Sequence, residues 1–167
     1  MKQPWGAVQI NRVLCAIASG VGIGMIVWGC NANNLQLEDG TWNIYKNKRY
    51  GFEFPYPNKW QVLGSPDNSD GIALVSRNKK NVEIRAYASK PLLKSSMENP
   101  QPVPNFRTHQ GFPGVLSVEV GEKVTVMKLT ITQEQLEHHW QGQSDRQDFQ
   151  NYYQLFYYIA QEYKISQ

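Results

Sequence analysis

The chain has 167 residues, of which 19% are charged, with seventeen Lys and Arg against fourteen Asp and Glu. The basic residues are scattered apart from Lys79-Lys80, so composition excludes the clustered positive surface of a nucleic-acid binder. Two cysteines, Cys15 and Cys30, exclude a disulfide framework of the kind that staples small secreted domains.

Residues 1–29 hold Lys2 and Arg12 and no acidic residue. The order of basic flank, apolar run 13–28 and then Val27-Trp28-Gly29-Cys30 reads as a lipoprotein signal whose cysteine thiol receives a lipid. Val27 and Gly29 fit the lipobox, whereas Trp28 stands where a small residue is usual. An uncleaved anchor is the rival reading. The 18 residues from Val13 to Cys30 make about 27 Å of helix at roughly 1.5 Å each, just short of a hydrocarbon core of roughly 30 Å. A conventionally cleaved secreted protein is the third. All three keep the basic flank in the cytoplasm and export the remainder. The expected division is a signal peptide over 1–29, a tether over 30–40 and a single domain over 41–167. Cleavage leaves 167 − 29 = 138 residues, with fifteen basic and fourteen acidic side chains.

Within the domain, Tyr50, Phe52, Phe54 and Tyr56 share one parity, which is the period of a half-buried strand. Pro55 lacks an amide donor and predicts that this strand ends there or lies at an edge. Gly51 is expected to relieve crowding or permit a bulge. Further strands are predicted over 60–63, 72–76 and 82–88, the last two joined by a polar turn at 77–81. In 82–88, Val82, Ile84 and Ala86 face one side, and Glu83, Arg85 and Tyr87 face the other.

Residues 89–106 contain Pro91, Pro100, Pro102 and Pro104, predicting a long surface loop with one helical turn near 92–97. Segments 115–120 and 124–131 flank Gly121-Glu122-Lys123 as a hairpin, and 136–141 adds a final strand. Ser144 and Gln147 have capping-box spacing ahead of a helix. Phe149, Tyr152, Tyr153, Phe156, Ile159, Ala160 and Tyr163 then recur at three and four residues as one apolar stripe. Tyr158 lies about 200° from Phe156 around the helix and points away from that stripe. Phe52, Phe54, Trp60, Phe156 and Ile159 are expected to share one core.

The chemistry-bearing cluster is Glu137-His138-His139. On a strand the two histidines point to opposite faces and do not chelate one ion together, whereas Glu137 and His139 share a face and are weak metal candidates. His138, flanked by Leu136 and Trp140, reads as a packed histidine. No nucleophile elbow or phosphate loop has the required spacing. The expectation is therefore a non-enzyme without a cofactor.

The run Tyr50-Gly51-Phe52-Glu53-Phe54-Pro55-Tyr56-Pro57-Asn58-Lys59-Trp60 resembles the opening motif of PsbP-like domains, the extrinsic proteins of the oxygen-evolving complex and their cyanobacterial lipoprotein relatives. Similar openings occur in DcrB-type bacterial lipoproteins. The resemblance covers roughly residues 41–165. It implies an α+β fold in which an antiparallel sheet is packed by the C-terminal helix. This is an α/β/α sandwich, with a reduced second helix layer here because prolines interrupt the stretch after 82–88. It also implies an accessory or assembly factor on the exported side of a membrane, in the periplasm or thylakoid lumen. Such a protein would be anchored through lipid on Cys30, with photosystem II the partner of the best-known members. A DcrB-like lipoprotein that binds a small ligand is the alternative.

Overall fold

A computed structural model describes residues 41–64, 70–90 and 102–166. Cys30, the signal segment, the 30–40 tether and the expected helical turn near 92–97 lie outside them. Among the described residues, ten strands and one helix are arranged as two antiparallel sheets and a covering helix.

The small sheet has the order β1-β2-β10. Strands β1 (Trp42–Asn47) and β2 (Phe52–Pro57) form a hairpin. Its turn is built by Asn47, whose side-chain carbonyl accepts the backbone amides of Arg49 and Tyr50 at 3.0 and 2.9 Å. This is the local bond that makes Asn a turn former. Gly51 closes the turn at φ +64°, a left-handed conformation that a side chain disfavours. Its role is thus a turn and not a bulge. The β2 strand runs through Pro55 to Pro57 rather than stopping at the proline. The short β10 (Lys164–Ile165) pairs only with Glu53 and Phe52, so Pro55 sits beyond it on an open stretch of edge.

The large sheet has the order β3-β4-β5-β9-β8-β7-β6. Its members are β3 (Gln61–Leu63), β4 (Gly71–Val75), β5 (Glu83–Ser89), β6 (Phe106–Arg107), β7 (Pro113–Val120), β8 (Val124–Gln133) and β9 (Leu136–Asp145). Both predicted hairpins form, β4 with β5 and β7 with β8. The strand predicted over 136–141 is longer, because β9 continues to Asp145 alongside β8. Strands β5 and β6 are separated by β9, β8 and β7. At about 4.8 Å per strand the connection between them must cross about 19 Å, a topological reason for a long connection after β5.

Alternation splits the large sheet into two faces. Ile72, Leu74, Ile84, Ala86, Met127, Leu129, Ile131, His138 and Trp140 are buried on the inner face. Helix α1 (Phe149–Gln161) covers that face through Phe149, Leu155, Phe156, Ile159 and Ala160. Contact is close because β9 offers no side chain at Gly142, where a Cβ would fall 2.5 Å from the Phe156 ring. Tyr163, just past the helix, stacks on Phe52 and Phe54 at 5.5 and 6.1 Å between ring centroids and joins the two sheets.

Two local expectations are corrected. Ser144 does not cap the helix. It is buried in β9, and its hydroxyl donates to the carbonyl of Asp145 at 3.1 Å. The N-cap is Asp148, whose carboxylate is drawn instead to Lys79 at 2.8 Å. Tyr153 does not join the stripe and is exposed, and Leu155 is buried in its place. Among the described residues, no helix is long and apolar enough to cross a membrane.

Candidate functional site

The outer face of the large sheet carries the site. Strand alternation that sends Ile84, Ala86 and His138 inward must send Arg85, Tyr87, Glu137 and His139 outward. Because Tyr87 and His139 are register partners in β5 and β9, their rings stack at 4.7 Å between centroids with 29° between planes. Tyr87 is 45% exposed, so this pair forms an accessible flat platform.

His139 is held on two sides. Its Nδ1 lies 3.4 Å from the Thr130 hydroxyl on β8, and its Nε2 lies 3.5 Å from a Glu137 carboxylate oxygen. Burial lowers the pKa of the imidazole, and the Glu137 charge opposes that shift only in part. The ring is therefore neutral near pH 7, and the contact with Glu137 is a long polar contact rather than a full ion pair. Glu137 and His139 do come together as their shared face requires. Among the described residues, however, no group of three His, Cys, Asp or Glu side chains converges as a metal cage would need.

Beside the platform lies a cleft of about 430 Å³. Its walls are Pro102, Pro104 and Pro113 on one side and Thr130, Thr132 and Glu137 on the other. The prolines are rigid apolar walls without amide donors, and the threonines and the carboxylate are donors and acceptors of fixed position. Pro102 and Pro104 belong to the 89–106 connection singled out in the sequence, whose residues 91–101 lie outside those described. Elsewhere on this face the charges pair among themselves, Glu83 with Arg85 and Glu119 with Lys128. The arrangement offers stacking, apolar contact and hydrogen bonding to a partner. The platform was not foreseen. Tyr87 and His139 are 52 positions apart, and only the long-range register of β5 against β9 brings them together.

The other histidines fall elsewhere. His138 is 2% exposed, with its ring edge-on to Phe52 and its Nδ1 3.4 Å from the Tyr163 hydroxyl. Burial pulls its pKa down to about 4, so it is a neutral core residue, as its apolar neighbours imply. His109 pairs with Glu162 at 2.8 Å, far along the chain from the Glu137 cluster. Cys30 lies outside the described residues.

Comparison with known proteins finds no matching family model and no matching curated protein. Solved structures do share the fold. The solution structure of cyanobacterial PsbP (CyanoP) from Synechocystis sp. PCC 6803 superposes with a TM-score of 0.55 at 13% identity, covering 75% of this chain and 93% of that one. A protein from Bacteroides thetaiotaomicron VPI-5482 gives a TM-score of 0.50 at 9% identity, covering 70% of this chain and 46% of that one. The chain thus has a PsbP-like α+β fold.

Proposed function

We propose that the protein is a membrane-anchored, non-enzymatic accessory or assembly factor on the exported side. It engages a membrane protein complex through the outer face of its large sheet, and photosystem II is the finer assignment. The observation that carries this reading is a PsbP-like fold that extends over 93% of CyanoP, so the likeness is to a whole domain and not to a fragment. Fold alone does not dictate function. The site adds support, because an exposed aromatic platform beside a proline-walled cleft suits docking better than bond-making. In this reading lipid on Cys30 holds the domain near its partner, and tethering raises local concentration enough for a modest surface to suffice.

The test is affinity capture of the full chain from detergent-solubilised membranes of a host containing photosystem II, comparing wild type with the Tyr87→Ala/His139→Ala pair. The expected result is a stoichiometric set of photosystem II subunits that the double variant retains poorly. Capture of a different membrane complex leaves the accessory role and removes the finer assignment, and no protein partner at all removes both. The cleft volume falls within the range of small-ligand sites, which favours a ligand-binding lipoprotein as the second reading. Native mass spectrometry showing a retained small molecule in place of a protein would select it. Intact-mass measurement of wild type against Cys30→Ser tests the anchor, since lipid at Cys30 adds a mass that the variant lacks.

A further inference from the structure

A second exposed surface lies on the small sheet, away from the platform. Tyr45 faces the core, its ring tilted against Phe52 and Phe54 at 5.9 and 5.5 Å between centroids. Its neighbours of opposite parity, Trp42, Ile44 and Lys46, therefore line the outer side of β1. Tyr158, turned away from the buried stripe of α1, meets Trp42 there at 5.1 Å between ring centroids. Together with Pro55 they border a shallow hollow of about 260 Å³. Ile44 is 57% exposed and Tyr158 36%.

We infer that Trp42, Ile44 and Tyr158 form a bilayer-contact patch that seats the domain in the lipid interface, an inference that rests on the membrane-anchored reading above. Three observations favour lipid over a protein occupant. The first is chemistry, because Trp and Tyr beside one aliphatic side chain are the residues that partition into the headgroup zone, apolar body inward and polar tip outward. The second is size. Three apolar side chains around one hollow are few beside the roughly 20–30 residues per side of a stable protein interface, whereas a bilayer accepts residues singly.

The third is chain length. Cys30 and Thr41 are 41 − 30 = 11 residues apart, and a chain of that length reaches at most roughly 36–40 Å, so lipid on Cys30 would keep the start of β1 within that distance of the bilayer. The first residue after that tether in β1 is Trp42. The rim suits a lipid surface as well. Its two carboxylates are each held by a base, Glu53 by Lys46 at 2.7 Å and Glu162 by His109 at 2.8 Å, and Lys164 adds an exposed amine.

The measurement uses the full chain reconstituted into phosphatidylcholine vesicles in which part of the lipid is brominated near the headgroup end of the acyl chains. Trp60 and Trp140 are buried in the core, so Trp42 is the partly exposed indole of the described domain. The emission difference between wild type and Trp42→Phe isolates its signal from the tryptophans of the leader. Flotation with the vesicles reports anchoring separately.

The expected result is flotation with roughly half of the Trp42 emission quenched by bromolipid, and that quenching abolished in Ile44→Asp, which still floats. Flotation with Trp42 unquenched and open to aqueous iodide overturns the patch and leaves the anchor standing. Flotation with Ile44→Asp as strongly quenched as wild type also overturns it, since the apolar surface would then not be what holds Trp42 in lipid. Shielding of Trp42 in native membranes but not in pure lipid assigns the surface to a protein and overturns the proposal. Failure to float removes the anchored reading and the patch together.

Discussion

His138 and His139 are consecutive in sequence and opposite in circumstance. The first lies in an aromatic knot between two sheets, touching Phe52 and Tyr163. The second lies on an outer platform with Tyr87, within reach of Thr130 and Glu137. A single step along a strand separates a residue that holds the fold from one that is available to a partner. The chemistry of the imidazole is the same, and the pleat of β9 decides its use. The inner face is apolar, covered and intolerant of change in volume. The outer face is polar, half-covered and internally paired, so substitutions there should be read in binding and not in stability.

The sharpest way to break this contrast is to attack the inner face where sheet and helix interlock. Phe156 is fully buried against Gly142 and Trp140. Phe156→Ala should cost roughly 3–5 kcal/mol, a large part of a typical total of about 5–15 kcal/mol. Chemical denaturation of wild type and variant measures it. A midpoint unchanged within error would mean that α1 is peripheral and the inner face is not the core.

Titration separates the two histidines next. The pKa of folded His138 is lowered to about 4, against roughly 6.5 for an unfolded histidine. The unfolded chain therefore binds more protons between those values, and stability falls as pH drops from about 6.5 to about 4. A difference of that size corresponds to about 3 kcal/mol. His139 is shifted in the same direction by burial but is opposed by Glu137, so its share is smaller. Urea midpoints at pH 8, 6 and 4.5 should decline for wild type and flatten in His138→Gln, which keeps an acceptor for the Tyr163 hydroxyl. They should remain nearly as steep in His139→Gln. Equal flattening by both variants would erase the distinction.

The inner face was largely legible from the residues. Period-two alternation marked β2, β4, β5, β7 and β8, and three- and four-residue spacing marked α1, because burying apolar side chains leaves a periodic trace. The resemblance at 50–60 anticipated the fold class. Strands β1, β6 and β10 left no such trace. Trp42–Asn47 places exposed Ile44 and Lys46 opposite Tyr45, and Lys164–Ile165 is two residues long, so tertiary pairing and not pattern makes them strands. The capping expectation at Ser144 failed because β9, held along its length by β8, outcompetes the earlier helix start. The Tyr87 and His139 platform and the Trp42 and Tyr158 contact were illegible because each joins residues whose proximity exists only once strand order and register are set.

On the outer face the effects should be small in stability and visible in binding. Tyr87→Ala/His139→Ala removes a stacked pair from a half-exposed site and should cost within about 1–2 kcal/mol of folding free energy. Partner retention in the capture experiment should nonetheless fall several-fold. Loss of folding comparable to Phe156→Ala would show that the outer face is structural and would dissolve the comparison.

The smallest effect tests what sets the two faces in the first place. Strands β8 and β9 are joined through Gln133↔Leu136, leaving Glu134 and Gln135 as a two-residue loop. Glu134 sits at φ +55°, a left-handed conformation that costs a residue with a Cβ about 1 kcal/mol and glycine almost nothing. Because side-chain direction alternates, a slip of one residue at this loop would exchange His138 with His139 and expose the inner set. Glu134→Gly should therefore tighten the element that holds the register, raising stability by up to about 1 kcal/mol, offset in part by the greater freedom of glycine in the unfolded chain. Denaturation at pH 8 measures the gain. Repeating it at pH 4.5 should give the same decline as wild type, because His138 keeps its place. A changed pH response would mean that the loop residue alters which histidine is inside, and that register at this hairpin is less firmly held than the ten paired positions of β8 and β9 imply.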